Sequence, residues 1–335
     1  MRLYILTEGG IERGLGHITR CTSLCQAFGE QGIVPEFIVN GDECIKRLQP
    51  CGSLRFKDWL THREEVYALF RGADAVIVDS YMADADLYCK VSELAKVAVY
   101  LDDYKRLDYP KGIVLNGSIN ADELRYPERR ETTYLLGSKY IPLRKEFWDL
   151  PEKAVGQHIE RILITFGGDD RRNMTPKVLR LLNEQYPEAL KTVVIGSGFR
   201  NRGEIEHLQN DRVELVYFPD AEEMKTVMCA SDIALSGGGQ TLAELARVGV
   251  PTIAIAVADN QVNNVRGWQQ AGSIEYAGWW GDKEVLENVK NSLELLRDGM
   301  IRRTISTRGR CVVDGQGARR IVQKIVDMCN GLMCK

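Results

Sequence analysis

Short runs of consecutive apolar residues recur along this chain, and the segments between them carry apolar residues at helical spacing. Runs at 3–6, 34–39, 54–56, 75–78, 97–101 and 113–115 predict strands, with helices over 17–31, 42–48, 64–70 and 84–95 between them. A polar loop over 7–13 leads into the first helix, and Gly32 closes it. From 116 to 151 the alternation loosens: Pro127, Pro142 and Pro151 fall among charges, with a strand expected within 135–143 and a short helix over 144–148. The pattern then restarts, with strands at 161–166, 192–195, 213–217, 233–235 and 252–257. Helices are expected over 173–185, 221–229 and 241–247, from 258 onward, and late over 284–297 and 317–329. Apolar strands interleaved with amphipathic helices predict an α/β chain of two Rossmann-like domains with parallel, doubly wound sheets. The expected division is 1–153 and 154–335, with the last helices free to pack back on the first domain. Ligands of such sheets bind beyond the carboxyl ends of the strands, and two domains facing across a cleft would share that space.

Composition narrows the partners. The chain has 335 residues, enough for two ordinary domains, and a formal net charge of −3. That charge gives no electrostatic reason to expect nucleic acid or an anionic membrane. No apolar run is long enough to insert into a bilayer, and Met1-Arg2-Leu3-Tyr4 enters a strand with no signal-peptide pattern. The nine cysteines are odd in number, irregularly spaced and without a CxxC pair, which predicts reduced thiols in a cytoplasmic protein. Cys21 and Cys25 share a helix face behind His17, but Cys25 belongs to the apolar periodicity of that helix, so no metal site is expected. The oligomeric state is not legible.

Chemistry concentrates at the predicted strand ends. Gly14-Leu15-Gly16-His17, followed by Thr19, Arg20 and Cys21, places glycines and an imidazole at a helix start. Glycines admit close approach of a ligand, a helix start favours an anion, and the imidazole suits proton transfer near neutral pH. A tight turn with a surface histidine is the plainer alternative. Gly237-Gly238-Gly239-Gln240-Thr241 opens a second helix and can hold a phosphate, with no GKS or GKT to make it a P-loop. Glu244, one turn on, can accept hydrogen bonds from vicinal ribose hydroxyls or serve as a capping-box glutamate. Asn260 and Gln261 can bind a ligand or cap their own helix. Asp79-Ser80-Tyr81, Asp102-Asp103 and Gly167-Gly168-Asp169-Asp170 end other strands; Asp79 and Tyr81 can face His17, while the Asp102-Asp103 pair reads as turn chemistry before metal ligation. His62, His158 and His207 sit in polar stretches and read as solvated, and Trp279-Trp280 as packing before base stacking.

Gly14-Leu15-Gly16-His17-Ile18-Thr19-Arg20, Asp79-Ser80-Tyr81, Tyr140-Ile141-Pro142-Leu143-Arg144-Lys145-Glu146-Phe147, Phe166-Gly167-Gly168-Asp169 and residues 238–244 fall in one order. In that order the chain resembles the pseudaminic acid biosynthesis (PseG) family of UDP-2,4-diacetamido-2,4,6-trideoxy-β-L-altropyranose hydrolases, which includes SpsG-like spore-coat polysaccharide proteins. The second half is also similar to MurG-type glycosyltransferases at Gly238, Gly239, Thr241, Glu244, Gln261 and Asn264. The resemblance implies a GT-B-like fold, a UDP-sugar ligand, no cofactor or metal, His17 as base and Tyr81 in the active site. With Asp79 facing His17 at its strand end, catalytic roles are expected for His17, Tyr81 and Asp79. The resemblance implies substrate contacts for Gly14, Gly16, Arg20, Gly168, Asp169, Gly238, Gly239, Thr241, Glu244, Gln261 and Asn264. The chain departs from the family at Leu6, where an arginine is common, at Glu8, where aspartate is common, and at Ser80, where histidine is frequent. The expected reaction is hydrolysis at the anomeric carbon with inversion; a glycosyltransferase using the same donor, or a non-catalytic nucleotide-sugar binder, are the alternatives.

Overall fold

The computed structural model describes residues 1–10, 14–43, 45 and 52–331. Cys44 and Cys51, and most of the helix expected over 42–48, lie outside the described residues. By internal packing the chain divides into two units, one of Met1–Lys145 with the chain from Gly315 onward, the other of Glu146–Asp314.

The first unit holds β1 (Leu3–Gly9), α1 (Gly16–Glu30), β2 (Glu36–Gly41), β3 (Ser53–Phe56), α2 (Arg63–Phe70) and β4 (Ala73–Asp79). It continues with α3 (Ala85–Leu94), β5 (Ala95–Leu101), β6 (Gly112–Asn116) and β7 (Thr132–Leu136). The strands form one parallel sheet in the order β3-β2-β1-β4-β5-β6-β7. The order reverses between β1 and β4, the switch point where a ligand crevice opens in such sheets. Thr7, Glu8 and Gly9, expected in a loop, belong to β1: Thr7 pairs with Asp79 and Gly9 with Gly41. Every β1 residue is buried, so Thr7 and Glu8 are polar groups at the buried end of a central strand. Cys21 and Cys25 lie with Ile18, Leu24 and Phe28 on the buried face of α1.

The second unit holds β8 (Arg161–Thr165), α4 (Met174–Gln185), β9 (Leu190–Ile195), α5 (Arg202–His207), β10 (Val213–Tyr217), α6 (Ala221–Ala230) and β11 (Ile233–Gly237). It ends with α7 (Thr241–Val248), β12 (Thr252–Ala256), α8 (Asp259–Gln270), β13 (Glu275–Trp279), α9 (Val285–Leu295) and α10 (Gly299–Val312). Its strands form a second parallel sheet, β10-β9-β8-β11-β12-β13, with the reversal between β8 and β11.

The division falls earlier than 153 for a physical reason. Arg247 donates to the carbonyls of Phe147 and Trp148 at 3.0 and 2.6 Å, and buried Arg302 to those of Gly156 and Gln157 at 2.7 and 2.9 Å. The 147–157 segment is thus held on the second unit, its carbonyls satisfied by guanidinium donors. The last helix, α11 (Gly317–Cys329), belongs to the first unit and packs on α1. It buries Ala318, Ile321, Val322 and Ile325. A Cβ at Gly317 would stand 2.1 Å from the Ile141 carbonyl, so the helix start can approach only as glycine. Among the described residues no helix is long and apolar enough to cross a membrane.

Candidate active site

His17 is the second residue of α1. The chain reaches it from β1 through a two-bond bridge between Gly10 and Gly14, the latter at φ +79°, where a side chain would be strained. Asp79 ends β4, directly beside β1, and is fully buried. Its Oδ1 lies 2.6 Å from His17 Nδ1, and it accepts from Arg20 Nε at 2.5 Å and Nη2 at 2.6 Å. Arg20 Nη1 donates to Asp103 Oδ1 at 2.6 Å, and the Tyr81 hydroxyl donates to the other oxygen of Asp103. The Tyr81 ring meets the imidazole edge-on, centroids 4.5 Å apart and planes at 80°. Glu8 Oε1 accepts the Tyr81 amide at 2.8 Å.

This wiring sets the proton chemistry. A carboxylate can only accept, so the bond to Asp79 assigns the proton to His17 Nδ1 and leaves the Nε2 lone pair as the acceptor. Burial works to lower the basicity of His17, but the Asp79 charge and hydrogen bond, helped by Glu8 and opposed by Arg20, leave it raised above 6.5. Burial alone would raise the Asp79 carboxyl; Arg20 and His17 outweigh it and hold it well below the usual carboxylate range. Burial, joined by the charge of Asp103, pushes the Tyr81 hydroxyl far above its ordinary value, so Tyr81 acts as a hydrogen-bond donor and not as a phenolate.

Arg20, expected to contact substrate, pairs with Asp79 and Asp103. The α1 start therefore carries Asp79, Asp103 and Glu8 against one guanidinium. Full charges at a few ångströms outweigh the half-charge of a helix end, so a diphosphate is disfavoured at Gly14 and Gly16. Neither Asp103 nor Glu8 was given a site role from sequence; the signals were an acidic pair at a strand end and, at Glu8, a departure from the aspartate common in the family. Asp102 is turn chemistry: its Oδ1 accepts the amides of Asp103 and Arg106, and Oδ2 accepts from Tyr126 at 2.5 Å.

In the second unit, Gly238, Gly239 and Gln240 link β11 to α7. The Gly238 amide donates to Gln261 Oε1 at 3.1 Å, that oxygen also accepts the Val257 amide at 3.0 Å, and Asn264 Nδ2 donates to the Gly238 carbonyl at 2.9 Å. Gln261 and Asn264 thus hold the glycine turn in shape, and Ala258, not Asn260 or Gln261, is the N-cap of α8. A Cβ at Gly238 would stand 2.3 Å from Val265 Cγ2, so the turn requires glycine there. Around Gly239 space is open apart from the Gln261 amide. In the first turn of α7 the Leu242 and Ala243 amides donate to the Gly239 and Gln240 carbonyls at 3.2 and 3.0 Å, and the Thr241 amide stands at the N-terminal end of the helix. Glu244 is buried at 5% exposure and stands at the fourth helical position, since α7 is capped by Gln240. A capping-box glutamate would stand one residue earlier.

Gly168 and Asp169 lie in the turn after β8. The Gly168 carbonyl accepts the Gly198 amide at 2.9 Å, while the Asp169 carboxylate pairs with Arg171. Asp170, not Asp169, builds the turn, accepting the Met174 and Thr175 amides at 2.9 Å each. Arg172 lies 4.3 Å over the Trp280 ring, and Phe218, half-exposed, holds φ +53° at the end of β10. His62, His158 and His207 are exposed. Among the described residues no cluster of three or more His, Cys, Asp or Glu is arranged to hold a metal ion.

Residues 162–297 match the glycosyltransferase family 28 C-terminal domain. The spore coat polysaccharide biosynthesis protein SpsG of Bacillus subtilis is 21% identical over 98% of each chain. The pseudaminic acid cytidylyltransferase and UDP-2,4-diacetamido-2,4,6-trideoxy-β-L-altropyranose hydrolase of Helicobacter pylori is 23% identical, over 81% of this chain and 47% of that one. An uncharacterized protein of Methanocaldococcus jannaschii, MJ1062, is 24% identical over 76% of this chain and 55% of its own. The chain thus spans about half the length of the latter two. The fold is that of Acinetobacter baumannii MurG (TM-score 0.66, 13% identity, 98% and 100% covered) and of the UDP co-structure of S. aureus MnaA (TM-score 0.71, 15% identity, 100% and 98% covered).

Proposed function

We propose that this chain, a GT-B-like relative of the SpsG- and PseG-type proteins, hydrolyses a UDP-linked deoxyamino sugar to free sugar and UDP. The observation that carries the reading is the Asp79–His17 pair at the switch point of the first sheet, whose Nδ1 bond leaves Nε2 as the proton acceptor. His17 Nε2 takes one proton from water as the water oxygen bonds to C1; the C1–O bond to the diphosphate breaks, its electron pair leaves with UDP, and attack from the far face inverts the anomeric centre. Asp79 stabilises the imidazolium that forms. A diphosphate leaves without the protonation an alkoxide needs, so one base suffices where glycoside hydrolases use two carboxylates. The α7 start, with its open glycine turn, is the better of the two helix starts for the leaving anion.

Glu244 accepts the ribose hydroxyls in this reading. Glu244→Ala is expected to weaken UDP binding roughly tenfold to a hundredfold, the size of lost hydrogen bonds to a charged group, with the melting profile little changed. Calorimetric titration of UDP checks this, and an unaltered Kd would remove Glu244 from the nucleotide site.

A glycosyltransferase is the second reading, supported by the family 28 domain match. Incubation with UDP-sugar and no acceptor separates the two: release of sugar and UDP at a competent rate supports hydrolysis.

A further inference from the structure

Glu8 is unusual among the charged residues of the first unit. It lies inside the central strand at 3% exposure, one carboxylate oxygen accepts the Tyr81 amide at 2.8 Å, and the other has no hydrogen-bond partner among the described residues. Buried polar atoms are paired as a rule, and an exception in a native fold asks for a reason. The reason lies in what surrounds it. Tyr81, whose backbone Glu8 holds, is the residue whose ring edge flanks His17. The charged and titratable groups facing His17 are Asp79 from β4, Arg20 from α1, Tyr81 from the segment after β4 and Glu8 from β1. Asp79 is already neutralised by two donors of Arg20, whereas no cation pairs with Glu8 among the described residues.

We propose that Glu8 is a positioning residue for His17: it anchors the Tyr81 backbone so that the phenol flanks the imidazole, and it places a second carboxylate on the β1 side of the ring, with no cation paired to it among the described residues. A carboxylate in a low-dielectric interior acts over several ångströms and favours the protonated ring formed when the base has done its work. Its contribution to His17 has the same sign as that of Asp79. The catalytic meaning of this rests on His17 being the proton acceptor; the test does not.

The four histidines of the chain are read by imidazole NMR titration in the wild type, Glu8→Gln and Glu8→Asp. Glu8→Gln keeps an oxygen for the Tyr81 amide and removes the charge, so the His17 midpoint is expected to fall by about half a pH unit. His62, His158 and His207 stay in place as internal controls. Glu8→Asp keeps the charge, and its His17 midpoint stays close to wild type; if Glu8→Gln does not fold, this variant carries the test alone. A His17 curve unmoved in Glu8→Gln, or displaced downward in Glu8→Asp, overturns the proposal. A His17→Asn protein that still hydrolyses substrate would instead sink the base assignment and leave the Glu8 result standing.

Discussion

His17→Asn is expected to lower kcat on the UDP-sugar by about 10²- to 10⁴-fold, the usual size of a general-base contribution, while UDP affinity stays at the wild-type value. The split follows from the charge arrangement. The imidazole sits where Asp79, Asp103 and Glu8 gather, so it has no share in holding a diphosphate, and its removal touches the chemical step alone. Asparagine keeps a donor for Asp79 and spares the fold. Steady-state kinetics beside UDP titration checks both halves; turnover near wild type would take His17 out of the mechanism.

Asp79→Ala is expected to destabilise the protein by about 3 kcal/mol or more at pH 7, because it strips the buried partner from Arg20 and His17 together. The deficit depends on pH with a defined sign. The folded carboxyl is held far below the roughly 3.9 of an unfolded aspartate, so its stabilisation is fully present above that value and is lost as the pH falls toward the folded one. Urea midpoints for wild type and variant should therefore begin to converge below about pH 4 and draw closer as the pH falls further. A gap that holds constant into acid would mean that the loss is packing and not charge. Asp79→Asn, which preserves shape, is expected to lose turnover comparably to His17→Asn because it no longer fixes the Nδ1–H tautomer.

The sheets were legible because central parallel strands are buried on both faces and read as unbroken apolar runs, as residues 75–78 do within β4. Helix α11 was legible at both ends because its apolar residues keep helical period from Gly317 to Cys329. Strand β13 was not, since Glu275, Gly278 and a register shift opposite Ala254 and Ile255 interrupt the pattern at a sheet edge. Helix α10 was hidden by its arginines; Arg302 is fully buried on backbone carbonyls, a role no hydropathy pattern announces. The same holds at the site. His17 and Asp79 stood out as a motif and a strand end, but that Arg20 binds carboxylates, that Asp103 joins it, and that Gln261 and Asn264 shape the Gly238 turn depend on partners 23 to 83 residues away in sequence.

The central claim is that water, activated by His17, attacks the anomeric carbon. Acceptor-free incubation with UDP-sugars in ¹⁸O-enriched water, read by mass spectrometry, tests it most directly. The account predicts equimolar free sugar and UDP, with the heavy oxygen in the newly formed sugar and none in the UDP. Label in the phosphate, or release only when an acceptor alcohol is supplied, would contradict it.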